Sequence, residues 1–373
     1  MKFSINQSEL QTALNTVQKG VATRSTLPVL SGIYVVAHGD EITFQTTNLE
    51  LSIQFTCAAL VEEEGKAVLP GKLICDIVKN LPDAAIHVTT VDLETTITCD
   101  NSSYSIKGLE PQDFPAFPEV ATGQQITVPF DVFSSMAKHV CHMVSKDESR
   151  AILTGVLITV EDNELRMVAT DSYRLACVQR EVAQEEDFSV VVSGGFVSEL
   201  AGLPKSSENI VLALSENQIV VSYRGTVFVN RRIEGKYPNY KQLLPDTCET
   251  KVEVDLGALI AAAKRVALLD QSGSPIKITA SVATQTVQLS AVAQDVGSAQ
   301  ETIAATVEGN DVEIALNSSY MLDGLNSTKG DTVVLEAQSS MKPGIFKNEA
   351  DRAEGAHHGG AREGLGQEEC ARV

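Results

Sequence analysis

The stretch ATDSYRLA, residues 169–176, puts five hydrogen-bonding side chains in a row: Thr170, Asp171, Ser172, Tyr173 and Arg174. It follows a run that alternates as a strand does, GVLITVEDNELRMV, and Leu175 and Ala176 restore the apolar rhythm. Such a cluster can close a turn or line a surface that holds a guest. Spacings suited to covalent chemistry are missing from the sequence. There is no P-loop, no G-x-S-x-G and no H-E-x-x-H. His139 and His142 stand three apart on a predicted helix, a spacing that could hold a metal. No Cys or carboxylate spacing completes a ligand set, and a plain helical surface explains the pair better. The seven cysteines are scattered, as expected for thiols in a reducing compartment. The sequence thus predicts no catalysis, no cofactor and no metal. A binding protein is expected instead.

Composition narrows the class. The formal net charge is −20, from 29 basic and 49 acidic residues, which on its own argues against nucleic acid. Charge is screened over about 8 Å at physiological salt, however, so a basic lining can coexist with a distant acidic face. No apolar run reaches the roughly 18–20 residues that span a bilayer. The first residues, MKFSINQSEL, lack the apolar core of a signal peptide. A cytoplasmic protein with no membrane contact is expected. A chain of 373 residues exceeds one ordinary core and predicts two or three domains.

Internal repetition organises these domains. FSINQSELQTALNTVQKGV, ITVPFDVFSSMAKHVCHMV and VEVDLGALIAAAKRVALL each read as a short strand followed by a helix. Ile5, Val128 and Val254 correspond, as do Leu10, Phe133 and Leu259, at a period of about 125 residues. A second strand-then-helix plan recurs within each third: AVLPGKLICDIVKNLPDAAIHV, VVVSGGFVSELAGLPKSSENIVL and VEIALNSSYMLDGLNSTKGDTVVL. Ser193 and Asn317 are the predicted N-caps. The apolar faces are read as Leu73, Ile77 and Leu81; Phe196, Leu200 and Leu203; Tyr320, Leu322 and Leu325. Alternating segments of strand type fill the rest. Proline-bearing links, GLEPQDFPAFPEV and EGKYPNYKQLLPDT, close the first two thirds. The predicted domains are 1–120, 121–246 and 247–347, followed by an atypical tail, 348–373.

With these segments in order, the chain resembles the bacterial DNA polymerase III β subunit, or sliding-clamp, family. The resemblance spans residues 1–347. It rests on RSTLPVLSGI, TNLELSI, GLEPQDFP, LTGVLI, VATDSYRLA, GKYPNYKQLLP and ALNSSYMLDGL together with the N-terminal MKFSINQSEL. It implies an α+β fold of three pseudo-repeated clamp domains, each with two helices packed on β-sheets. Two such subunits would join head to tail as a homodimeric ring around double-stranded DNA, without reading its sequence. Non-specific DNA binding is weak, roughly 10⁻⁴ to 10⁻⁶ M, so a closed ring would be retained where an open protein falls off. The partners implied are the replicative polymerase, the clamp loader and repair proteins, all recruited through short peptide motifs.

The resemblance also implies where the sites lie. Arg24 and Arg150 match positions where the family contacts DNA, and Lys72, Lys138, Lys205 and Lys264 lie on or beside the predicted inner helices. A peptide groove would use Leu153, Thr170, Ser172, Tyr173, Arg174, Leu175, Pro238, Leu243 and Met341. Gln242 stands where many members carry arginine. The subunit joint would place Tyr104 and Ile106 against Leu268 and Leu269 of a second copy. The family ends in a strand reading tyrosine-leucine-x-x-methionine-proline-valine-arginine, which forms one wall of the groove. Here the chain continues from MKPGIFKN into EADRAEGAHHGGAREGLGQEECARV, which lacks strand alternation. The expectation is a disordered tail, a third domain without its last strand, and a groove missing one wall. The second reading is a clamp homologue defective in ring closure or partner recruitment.

Overall fold

Each third of the chain lays down the same succession of elements. The computed structural model describes residues 1–119, 123–183, 186–244, 247–269, 275–293, 296–340 and 342–348, and the backbone of 369–372. The first third runs β1 (Lys2–Asn6), α1 (Gln7–Val17), β2 (Gly32–His38), β3 (Glu41–Thr47), β4 (Leu51–Ala58), β5 (Leu60–Glu63), β6 (Gly65–Pro70), α2 (Gly71–Asn80), β7 (Ala85–Val91), β8 (Glu94–Cys99) and β9 (Ser102–Lys107). The second runs β10 (Gln125–Pro129), α3 (Phe130–Val140), β11 (Gly155–Glu161), β12 (Glu164–Thr170), β13 (Leu175–Glu181), β14 (Phe188–Ser193), α4 (Gly194–Ala201), β15 (Asn209–Leu214), β16 (Gln218–Tyr223) and β17 (Thr226–Arg231). The third runs β18 (Thr250–Asp255), α5 (Leu256–Val266), β19 (Pro275–Ser281), β20 (Thr286–Ala293), β21 (Gly297–Ala304), β22 (Thr306–Gly309), β23 (Val312–Asn317), α6 (Ser318–Ser327), β24 (Thr332–Ala337), β25 (Ile345–Lys347) and β26 (Glu369–Arg372).

Two compact units result: residues 1–129 with 208–232, and residues 130–207 with 233–373. The middle third is divided between them because its strand β17 hydrogen-bonds to β4 of the first third. In the first unit, one sheet has the order β5-β1-β7-β8-β9 and the other β10-β15-β16-β17-β4-β3-β2-β6. In the second unit, the orders are β14-β11-β12-β13-β26-β25-β24-β18-β22 and β21-β20-β19-β23. Sheet pairing thus continues from one repeat into the next, and compactness follows the sheets.

Helix burial follows the apolar spacing. Leu10, Ala13, Leu14 and Val17 form the buried face of α1. In the second unit, Leu256, Leu259, Ala262, Ala263 and Val266 of α5 join Met321 and Leu325 of α6 in one core cluster. Each large side chain so buried contributes about 1.5–3 kcal/mol. Three local expectations change, one of them on α6, where Met321 and Leu325 are buried while Tyr320 and Leu322 are only partly so. The core face of α2 is Ile74, Cys75, Ile77 and Val78, while Leu73 is exposed. The apolar run LIC permits either frame, and the Ile74–Ile77–Val78 frame buries more area. Asn317 caps α6 through Oδ1, which accepts from the N–H groups of Ser319 at 3.0 Å and Tyr320 at 3.1 Å. Ser193 occupies the N-cap position of α4 without a side-chain cap bond.

The larger correction concerns the end of the chain: the last strand is present. Residues 369–372 form β26, antiparallel to both β13 and β25, with Leu175 opposite Arg372 on one side and Ile345 opposite Arg372 on the other. The repeat explains this. Strand β26 stands between β13 and β25 as β17 stands between β4 and β16 in the first unit. A slot flanked by two strands satisfies backbone groups on both edges, whatever side chains the inserted strand brings. The tight turn Arg224-Gly225 joins β16 to β17, whereas residues 348–368 separate β25 from β26.

A chain ending at Asn348 is therefore expected to lose the pairing partner of β13. Each lost hydrogen bond contributes about 0.5–1.5 kcal/mol net, so urea unfolding should show a loss of roughly 2 kcal/mol or more. Hydrogen exchange should accelerate at Leu175–Val178. Unchanged protection there would contradict the pairing.

Candidate functional site

The loop between β12 and β13 is held by its own side chains. Asp171 Oδ1 accepts from the N–H groups of Tyr173 and Arg174, both at 2.9 Å. Thr170 Oγ1 donates to the Arg174 carbonyl at 2.7 Å and accepts from Ser172 N–H at 3.2 Å. These bonds hold Ser172 at φ +83°, in the left-handed region that non-glycine residues rarely occupy. Asp171 and Thr170 thus do the work of a turn, as short polar side chains do when they accept from nearby N–H groups.

Arg174 ties this loop to its neighbours. Its Nε donates to Asp171 Oδ2 at 3.0 Å, Nη1 to Asp323 Oδ2 at 2.6 Å, and Nη2 to the His142 carbonyl at 3.0 Å. The guanidinium also lies 4.5 Å from the centroid of the Tyr320 ring. The residue is only 8% exposed. Burial of a charge on this scale requires counter-charge and satisfied donors, and the fork of Arg174 obtains both. Arg174 therefore acts as a strut that joins the loop to α6, rather than as a free charge presented to a guest. Arg150 adds a second brace, donating from Nη1 to Ser172 Oγ at 3.0 Å and from Nε to Asp147 at 3.1 Å. These contacts hold the Asp147 carboxyl below its ordinary range, the bonds from Ser149 contributing most and Arg150 next.

Beside the loop lies an open cavity of about 540 Å³. The loop lines it with Thr170, Ser172, Tyr173, Arg174 and Leu175, and the segment before the third repeat adds Leu243. The end of β23 contributes Ala315, Leu316 and Asn317, α6 contributes Tyr320, and the segment before β25 contributes Ser340, Lys342 and Pro343. Tyr173 projects into solvent, 74% exposed, with its ring 6.4 Å from that of Tyr320. Leu175 is 1% exposed, so it forms the floor of the cavity rather than its rim. The segment carrying Leu243 is anchored by Tyr237, Tyr240 and Leu244, which pack on Leu157, Val168, Leu175, Cys177 and Val191. The arrangement suits an extended guest with apolar anchors and a few oriented polar groups.

Of the residues expected here, the structure brings together Thr170, Ser172, Tyr173, Arg174, Leu175 and Leu243. Leu153 is buried and Pro238 is exposed, and neither lines the cavity. Met341 lies outside the described residues. Sequence reasoning named Asn317 and Tyr320 only as a cap and an apolar-face residue and missed Asp323, although the three-residue spacing of Tyr320 and Asp323 on α6 was a usable signal. The two histidines do not share a site: His139 is buried with Nδ1 at 3.0 Å from the Ser327 carbonyl, while His142 is exposed. Among the described residues no helix is long and apolar enough to cross a membrane.

The basic residues lie at the surface. In the first unit, Arg24 follows α1 and Lys72 opens α2, and both are exposed. In the second unit, Lys138 and Lys264 occupy the last turns of α3 and α5, and Lys205 follows α4, all exposed. At the expected joint, β9 is an edge strand on which Tyr104 is exposed and Ile106 buried. Leu268 is 79% exposed, whereas Leu269 packs against the core of its own unit. Only Leu268 of that pair is placed as a free apolar contact.

Comparison with known proteins fixes the family. Models of the DNA polymerase III beta subunit match in succession: the N-terminal domain over residues 1–118, the central domain over 127–239 and the C-terminal domain over 241–357. The chain belongs to the DNA polymerase III β subunit family. The beta sliding clamp of Staphylococcus epidermidis is 33% identical over 363 residues, covering 94% of this chain and 96% of that protein. The Staphylococcus aureus clamp is 32% identical over the same span. The crystal structure of the Bacillus subtilis DNA polymerase sliding clamp superposes with a TM-score of 0.90 at 26% identity, covering 100% of this chain and 98% of that one. The three repeats are thus three clamp domains, and the function is that of a DNA sliding clamp, a non-catalytic processivity factor. The reading as a defective homologue is not favoured.

Replacing Arg174 with alanine would leave the half-buried Asp171 without its counter-charge. The cost should fall below the roughly 3–5 kcal/mol of a fully buried pair, and the urea midpoint should drop accordingly. Arg174→Lys is expected to recover only part of the loss, because one ammonium cannot span Asp171, Asp323 and the His142 carbonyl together.

Proposed function

We propose that this clamp works as a head-to-tail homodimer that encircles duplex DNA in the cytoplasm and recruits its partners through the groove beside ATDSYRLA. The observation that carries the reading is the 540 Å³ cavity, which combines an apolar floor with a braced polar rim. Leu175, Leu243, Leu316 and Pro343 would receive the apolar anchors of a short peptide. Asn317, Ser172 and the loop backbone would orient it. The replicative polymerase, the clamp loader and repair proteins would compete for this one site.

Two strand edges support the ring. β9 is the last strand of its sheet in the first unit, and β21 the last of its sheet in the second. An edge presents unpaired N–H and C=O groups, and pairing β9 of one copy with β21 of another would satisfy both rows. Because the two edges differ, the contact is heterologous, and it closes a ring when the rotation per subunit allows. Leu268 and Tyr104 would pack across the joint. The three-domain division at 1–120, 121–246 and 247–347 would follow the sequence repeat, with β26 (Glu369–Arg372) supplying the last strand of the third domain. Arg24, Lys72, Lys138, Lys205 and Lys264 would face the DNA phosphates, adding retention without base readout, whereas Arg150, tied to Asp147 and to Ser172 beside the cavity, would serve the groove instead.

The joint and the groove are separable. Leu268→Asp is expected to halve the mass in sedimentation equilibrium while a fluorescent peptide with leucine and phenylalanine anchors still binds. Leu243→Asp should weaken that peptide by at least about tenfold, or roughly 1.4 kcal/mol, with the dimer mass unchanged. A dimeric Leu268→Asp or a fully binding Leu243→Asp would sink the corresponding half of the reading.

A further inference from the structure

One carboxylate of the second unit joins the sheet to the segment that carries Leu243. On the sheet face that this segment covers, Arg166 of β12 stands opposite Thr159 of β11 and Gln179 of β13. Its Nε donates to Gln179 Oε1 at 3.3 Å, Nη1 to Glu161 Oε2 at 3.3 Å and Nη2 to Glu164 Oε2. The same Glu161 oxygen accepts from Lys241 Nζ at 2.9 Å. Lys241 lies in the helical turn Tyr240–Leu243, whose last residue lines the cavity. Glu161 thus connects a guanidinium fixed by three strands to an ammonium on the groove segment. The bond from Lys241 is the main cause that holds the Glu161 carboxyl below its ordinary range, so the carboxylate stays charged at neutral pH.

The other two repeats have no such charge at the equivalent rung. The first repeat sets Thr43 between Val36 and Thr56, and the third sets Gln288 between Thr279 and Thr302. In the first, the hydroxyls of Thr43 and Thr56 lie 3.0 Å apart. Both ladders form without an arginine, so Arg166 answers to something other than strand pairing. What lies over it is the turn Tyr240–Leu243, through the packing of Tyr240 and the Lys241–Glu161 pair.

We propose that Glu161, held by Arg166, is a positioning residue for the groove: through Lys241 it fixes where Leu243 stands at the cavity. Apolar packing of Tyr237, Tyr240 and Leu244 holds the segment down, but such packing is non-directional. Leu243 is itself 40% exposed, so its own burial does not set its place. A charge-assisted bond adds the missing direction. The effect on a guest rests on the groove reading above, whereas the tie between sheet and segment does not.

The test uses the full chain, a fluorescent peptide with leucine and phenylalanine anchors, and amide exchange. Glu161→Gln keeps the side-chain shape and removes the charge. Exchange at Lys241–Leu243 should quicken about threefold, and the peptide Kd should rise about threefold to fivefold, the range of a partly exposed ion pair. Lys241→Met should match it, Lys241→Arg should bind as the wild type does, and the Glu161→Gln, Lys241→Met double variant should lose no more than either single one. In a Leu243→Ala background, Glu161→Gln should cost the peptide nothing further, which a general loosening of the fold would not produce. Unchanged exchange at Lys241–Leu243 in Glu161→Gln, or an undiminished loss of affinity on top of Leu243→Ala, would overturn the assignment. If exchange quickens, yet Leu243→Ala itself binds the peptide fully, the groove reading fails and the tie between sheet and segment stands.

Discussion

A buried guanidinium must be neutralised where it sits, and the candidate site depends on that requirement. Arg174 meets it with Asp171 from its own loop, Asp323 from α6 and the His142 carbonyl. Asp171 also receives the N–H groups that shape the turn. One carboxylate therefore sets both the loop conformation and the placement of the cation. The cation in turn fixes α6 beside the loop, which brings Tyr320 and Asn317 to the same cavity as Tyr173 and Leu175. A groove assembled from two repeats needs such a strut, because apolar packing alone is tolerant of small shifts.

The same economy shows in the sheets. Continuing a ladder from one repeat into the next removes a free edge from each, and edges are a hazard for soluble proteins. In the first unit β17 does this between β4 and β16, and in the second β26 does it between β13 and β25. The edges that stay open include β9 and β21, the two that the proposed ring would join. Such a ring would need two unlike edges on each copy.

Much of this was legible in the residues, and the failures have physical causes. Periodicity located the helices, and the equivalence of Leu10, Phe133 and Leu259 marked buried positions in all three repeats. ATDSYRLA stood out because five polar residues interrupted a strand. Arg174 was placed at the groove, which it lines, but its tie to the distant Asp323 could not be read from the sequence. Leu269 was read with Leu268, yet neighbours on the tight helical turn Ala267–Leu269 stand about 120° apart, which sends Leu268 to solvent and Leu269 inward. The terminal strand was missed for a different reason. Side-chain alternation marks a strand only where one face must be buried, whereas ECAR is held by backbone hydrogen bonds on both sides.

The central claim is a closed ring on DNA whose retention is topological. It is tested most directly by loading the protein onto a nicked circular plasmid with a clamp loader, linearising half the sample with a single-cut nuclease, and following retention by gel filtration at raised salt. The account predicts that the protein stays with the circle and leaves the linear form, because salt screens the basic residues but cannot open the ring. Equal loss from both forms, or equal retention on both, would contradict it.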